Sequence, residues 1–143
     1  MVVPADPPRA VGAGPLRGAA LVAFLGTTDL DRAHAFYGGV LGLERTEASA
    51  HANAYDVGGT SLRVTRVDRV AAAPYTVLGW RVDDVRAAIA RLAAVGVEMR
   101  RFGGLEQDTD GVWTAPGGAR VAWFADPDGN RLSVSEMPPA TPR

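Results

Sequence analysis

The sequence has no cysteine, which excludes a disulfide framework, a thiolate metal site and a cysteine nucleophile together. It has no excess of one charge: fifteen Lys plus Arg against sixteen Asp plus Glu leave a net −1, which provides no field to attract a phosphate backbone, so nucleic acid is not an expected partner. No apolar run approaches the roughly 18 to 20 residues needed to cross a bilayer, because Asp, Arg or Gly interrupts each one. No membrane contact is expected. The first stretch, MVVPADPPRAVGAGPLRG, puts prolines where a secretory leader needs an unbroken apolar region, so a cytoplasmic location is expected. A glycine-rich phosphate loop, a nucleophile elbow and a histidine pair on a helix are also missing from the required strand and helix junctions, so neither nucleotide hydrolysis nor triad hydrolysis has support.

What is present is a chain of 143 residues, 47% of them apolar, enough for one real core. Residues 1–18 and 138–143 are rich in Pro, Gly and Ala without apolar period and are expected to be disordered tails. Between them the chain repeats itself. The segment from Asp29-Leu30-Asp31-Arg32-Ala33 to Gly42-Leu43-Glu44 returns about 55 residues later as Asp84-Val85-Arg86-Ala87-Ala88 to Gly96-Val97-Glu98. Two modules follow, 19–70 and 75–137. Each opens with an alternating strand, 21–27 and 76–82, and continues into a helix capped by Asp29 or Asp84 and stopped by Gly42 or Gly96. Three short strands complete each module: 43–47, 53–57 and 61–67 in the first, and 97–102, 121–125 and 131–136 in the second. Asp126-Pro127-Asp128-Gly129-Asn130 reads as the last turn, its Pro presetting the bend and its Asp side chains capping local N–H groups. The stretch 103–118 has no apolar period but carries Trp113. Loops of that length often cover binding sites. The expected fold is α+β: two βαβββ modules forming a cup-shaped, mostly antiparallel sheet with helices on the outside.

Phe36-Tyr37-Gly38-Gly39-Val40-Leu41-Gly42-Leu43 in the first module and Phe124-Ala125-Asp126-Pro127-Asp128-Gly129-Asn130 in the second resemble the commonest sequence marks of the glyoxalase/bleomycin-resistance/dioxygenase superfamily, the vicinal-oxygen-chelate fold. The resemblance covers roughly residues 20–137. It implies paired modules within or between chains, a ligand-sized cup for one small organic molecule, and a homodimer. Metal-using members take one ligand from each of four strands, typically two His and two acidic or amide side chains. The matching positions here are Val22, Arg63, Val77 and Ser133. Two valines, a guanidinium and a hydroxyl offer no first shell for a divalent ion, so no metal and no cofactor are expected. A slip of one residue brings in Ala23, Leu62, Leu78 or Leu132, which are no better.

Strand alternation puts Ala23, Leu25, Leu78, Trp80 and Val82 toward the helices and leaves Val22, Phe24, Val77, Gly79 and Arg81 on the concave side. The candidate ligand-binding set is Val22, Phe24, Tyr55, Arg63, Val77, Arg81, Trp113, Trp123 and Ser133. Aromatic members would wall a flat ligand. Arg63 would anchor a carboxylate, phosphate, enolate or phenolate, since a charge in a partly apolar cup needs a partner; alternatively it reaches solvent and pairs with Glu47 or Asp56. Glu136 shares parity with Leu132 and Val134, which puts it outside the cup. His34 and His51 read as a helix-surface and a solvated-turn residue. The functional expectation is a metal-independent small-molecule binding protein, of the bleomycin-resistance type in the sense of antibiotic self-resistance, that sequesters or carries a planar or anionic molecule. The alternative is an enzyme on the same scaffold, either a metal-free isomerase or cyclase using Arg63 and Tyr55, or a metal enzyme with atypical ligands.

Overall fold

A computed structural model describes residues 14–139. Most of both expected tails therefore lies outside the described residues; of the first, residues 14–18 form a turn closed by Arg17 N–H donating to the Gly14 carbonyl. The first module runs β1 (Val22–Thr27), α1 (Leu30–His34), β2 (Glu44–Ala48), β3 (Ala52–Val57) and β4 (Thr60–Arg66). The second runs β5 (Leu78–Arg81), α2 (Val85–Ala94), β6 (Trp113–Thr114), β7 (Arg120–Ala125) and β8 (Arg131–Glu136). Both start the same way locally. Asp29 is extended and accepts from Arg32 N–H at the head of α1, and Asp84 accepts from Arg86 and Ala87 N–H at the head of α2. The ends also match: Gly42 at φ +73° and Gly96 at φ +87° occupy left-handed backbone that stops each helix. In the first module α1 passes into a π-helical turn, Ala35–Val40, in which Leu41 N–H donates to the Phe36 carbonyl.

The strands form two four-stranded sheets of identical plan, β1-β4-β3-β2 and β5-β8-β7-β6, each with one parallel and two antiparallel pairings. One expected strand is missing. Residues 97–102 are irregular, bonded to β7 only through Arg100 N–H to the Trp123 carbonyl at 2.7 Å, and the edge strand of that sheet is instead Trp113–Thr114. The segment is rich in Arg and apolar residues but reaches the sheet at a single point, so no ladder forms.

One face of each sheet packs into a common core. Leu25, Leu62, Val64 and Tyr55 of the first module share it with Phe124, Leu132 and Val134 of the second, and Phe36 bridges them with its ring 6.5 Å from Phe124. The turn after β7 locks the halves. Its Asp126 accepts from Tyr37 Oη at 2.7 Å and from Asn130, while Asp128 reaches back to Thr27, Thr28 and Arg32. Asp126 does cap local N–H groups as expected, but Asp128 is an interdomain clasp rather than a local cap.

Candidate functional site

The opposite face of each sheet carries the candidate residues, and cross-strand register decides which of them meet. In the first sheet Phe24 lies beside Arg63, Arg63 opposite Ala54, and Ala54 opposite Glu47, giving one row across all four strands. The next row holds Val22, Ser61, Asp56 and Glu44. Phe24 is 66% exposed and Val22 42%, although both are apolar. A bulge between Arg45 and Glu47 moves Glu47 into the Arg63 row, and the two pair at 3.1 Å. Arg63 therefore sits on the expected face with a carboxylate already in reach, the Glu47 pairing that the sequence left open.

In the second sheet Gly79, Ser133 and Trp123 form one row, and Arg81, Ser135, Val121 and Trp113 the next. Val77 joins this face just ahead of β5, with its N–H donating to the Arg131 carbonyl. Gly79 leaves room for Ser133 beside it: a Cβ there would come to 2.5 Å from Ser133 Oγ, which would have to turn away. Trp123 is fixed by Thr76, whose Oγ1 accepts from Trp123 Nε1 at 2.8 Å. Phe102 meets it edge-on at 5.6 Å, Trp113 lies 6.1 Å away, and the Arg131 guanidinium sits 4.3 Å above the Phe102 ring. Phe102 and Arg131 were not among the sequence candidates. Arg131 was legible by its parity with Ser133; Phe102 was not, since it lies in the irregular segment.

Tyr55 is the residue the structure moves. It pairs with Leu62 on the core face and is fully buried, its hydroxyl 3.0 Å from His34 Nδ1 and its ring 6.0 Å from Tyr37. Burial, more than the opposing effects of Arg45 and Asn53, raises its pKa. Tyr55 and Arg63 thus leave opposite faces of the sheet and cannot act on one molecule. His34 is also not a free surface histidine, being stacked on Tyr55, whereas His51 sits in its exposed turn. Glu136 is outside the free face as expected, accepting from Val85 N–H at the head of α2. The 103–118 stretch is tied down: Arg86 on α2 grips Asp108 and Asp110, both at 2.7 Å, and Arg101 donates to the carbonyls of Asp108 and Thr109.

Val22, Arg63, Val77 and Ser133 all lie on the free faces, so the chemistry of that donor set can be judged directly. It does not fit a metal: two side chains have no donor atom and a third is a cation. Among the described residues no group of three or more His, Asp and Glu is placed to hold an ion.

The sequence profile of the Glyoxalase/Bleomycin resistance protein/Dioxygenase superfamily matches residues 19–134, and the chain belongs to that superfamily. Solved structures agree on the fold. Lactoylglutathione lyase from Agrobacterium tumefaciens is 23% identical with a TM-score of 0.65, over 83% of this chain and 93% of that one. The genomically encoded fosfomycin resistance protein FosX from Listeria monocytogenes is 18% identical with a TM-score of 0.63, over 81% and 90%. A glyoxalase/bleomycin resistance protein from Catenulispora acidiphila is 24% identical with a TM-score of 0.61, over 83% and 98%. No curated protein matches.

Proposed function

We propose that this protein binds a planar or anionic organic molecule without a metal, to sequester or carry it, and that two copies pair their free faces to enclose it. The carrying observation is the replacement of all four metal-ligand positions by Val22, Arg63, Val77 and Ser133 on faces that also present Phe24, Trp113 and Trp123. Aromatic walls with few polar groups suit a flat ligand, and Arg63 and Arg131 supply positive charge. Arg81, at the end of the Trp113 row, is a second cationic contact. The homodimer rests on the exposure of Leu21, Val22, Phe24, Tyr75 and Val77, all on or beside these faces, which a second copy would cover. Names such as fosfomycin resistance protein among the structural relatives make antibiotic resistance one setting for such a role, in the cytoplasm.

The test is metal analysis of untagged protein purified without chelator, with mass spectrometry of whatever small molecule is released on denaturation. No metal and a co-purifying aromatic or anionic compound is the expected result. Stoichiometric Zn, Ni, Mn or Fe would overturn the reading. The metal-free enzyme loses ground, because its two proposed groups, Arg63 and Tyr55, face opposite ways.

A further inference from the structure

A second hollow lies on the other side of the second sheet, between the two halves and away from both free faces. Leu41 and Leu43, which follow the π-helical turn, face Trp80, Phe124 and Leu92 across a space of about 360 Å³. The space is a groove open to solvent, with room for on the order of ten waters. Apolar side chains make up most of its lining, and Trp80 and Phe124 stack with centroids 6.3 Å apart at 23°, forming a flat side. The single charged lining residue is Arg91, on the exposed side of α2. Like most of the described arginines, Arg91 has no carboxylate partner among the described residues; what sets it apart is its place on this apolar lining. Val95, 50% exposed, stands at the lip.

An open groove of ligand size, lined mainly by apolar side chains with a single guanidinium among them, has the chemistry of a site for an amphiphile with a single negative charge. We propose that this cleft is a second small-molecule site, independent of the free faces, which takes a monoanionic aromatic or short-chain amphiphile with its apolar body against Trp80 and Phe124 and its charge at Arg91.

The probes are 8-anilinonaphthalene-1-sulfonate and its neutral relative N-phenyl-1-naphthylamine, titrated into the full chain by fluorescence. Each should show a saturable class of one molecule per chain that the cleft variants remove. Arg91→Ala should weaken the sulfonate about tenfold, the loss of one charged contact, and leave the neutral probe unchanged. Ala88→Phe, which fills the groove from α2, should abolish both. If that variant fails to fold by circular dichroism, Val95→Glu, at an exposed position, should repel the sulfonate alone. His51→Ala, in an exposed turn that belongs to neither site, should affect neither probe. The proposal fails if no saturable binding occurs, if Arg91→Ala leaves the sulfonate affinity unchanged, or if Trp123→Ala, on the free face, rather than the cleft variants removes binding. It also fails if Val95→Glu instead dissociates a dimer, which would make the cleft a contact between copies. A failure of the free-face reading, for example a metal found there, would leave these results untouched.

Discussion

Asp128 joins segments about a hundred residues apart, and removing it should show how much one turn contributes to holding the halves together. Its carboxylate accepts from Thr27 Oγ1 at 2.6 Å, Thr28 N at 3.1 Å, Thr28 Oγ1 at 3.1 Å and Arg32 Nη2 at 2.8 Å. The Asp128 side chain is 3% exposed and that of Arg32 46%. Hydrogen bonds to a charged group contribute about 1.5–3 kcal/mol each, but the four do not sum. Arg32 and Thr28 are exposed and rehydrate, so their shares are close to those of surface contacts, about 0–1 kcal/mol. Thr27 is fully buried, yet its hydroxyl keeps the Asp29 carbonyl at 3.1 Å. Asp128→Ala should therefore cost about 2–3 kcal/mol, read as a lower urea midpoint at unchanged slope, with Tm falling by about 5–10 °C. Acid adds a signature. Burial pushes the Asp128 carboxyl up, but Thr27, Thr28 and Arg32 together outweigh it and hold the pKa below the usual carboxylate range. A lowered native pKa means that this stability is present above the unfolded value, near 4, and is lost as pH falls through the native one. The gap between wild type and Asp128→Ala should stay constant from pH 7 to about 5 and narrow below about 4. A cost under about 0.5 kcal/mol at pH 7 would refute the clasp.

Three further perturbations test the surrounding structure. Tyr37→Phe removes the 2.7 Å bond to Asp126, which keeps three donors from Asp128 and Asn130, so the loss should lie near the low end, about 1.5 kcal/mol by urea unfolding. Burial and then Asp126 push the Tyr37 hydroxyl far above its ordinary pKa, so the native state keeps a proton that the unfolded state loses above about pH 10; stability should fall as pH rises past that point, and less steeply in Tyr37→Phe. Gly38→Ala should destabilise by about 1 kcal/mol despite a helix-propensity gain of similar size, because the new Cβ would run into the His34 ring and dislodge it from Tyr55; adding His34→Ala should restore stability in a double-mutant cycle. Arg86→Ala should lower the exchange protection of the Asp110 and Val112 amides without changing global unfolding, and acid below the usual carboxylate range should lower the same protection factors in wild type once the slower intrinsic exchange is divided out, since the hydrogen bond from Arg86 leads the effects holding Asp108 below that range.

The elements that a local pattern dictates were legible in the sequence. Leu25 and Thr27 alternate with Phe24 and Gly26 along β1, and Asp29 and Asp84 cap their helices through their own carboxylates. The turn from Asp126 to Asn130 forms as its residues demand. What failed depended on partners distant in sequence. Ala52, Asn53, Ala54 and Tyr55 are all buried, so β3 has no alternation to read; only its register against β4 assigns Tyr55 to the core. The Arg63–Glu47 pair depends on a bulge at Thr46, and the clasp on a contact spanning 101 residues, neither of which has a local signal.

The internal duplication, once the strand registers are known, accounts for Tyr55, and it also separates what the fold requires from what it leaves free. The registers Ala23 to Leu62 and Leu78 to Leu132 superpose β4 on β8, so Leu62 matches Leu132, Val64 matches Val134, and Tyr55, opposite Leu62, matches Phe124, opposite Leu132. At these three core-face positions the two halves repeat aliphatic for aliphatic and aromatic for aromatic, because each must fill a similar space against a helix, although Leu25 answers to Trp80 and Asn53 to Ala122. On the free face they diverge. Phe24, Arg63 and Ala54 in the first half stand where Gly79, Ser133 and Trp123 stand in the second. A bulky ring and a cation beside a small residue are exchanged for two small residues beside an indole, and core packing asks for neither arrangement. If two copies pair their free faces as proposed, the room left by Gly79 and Ser133 beside the Trp123 wall would accept the flat body of a ligand. Arg63 of the other copy would bring the charge. Such a site needs both halves to differ, and on the proposed reading the free face, not the repeated core, would carry the specificity.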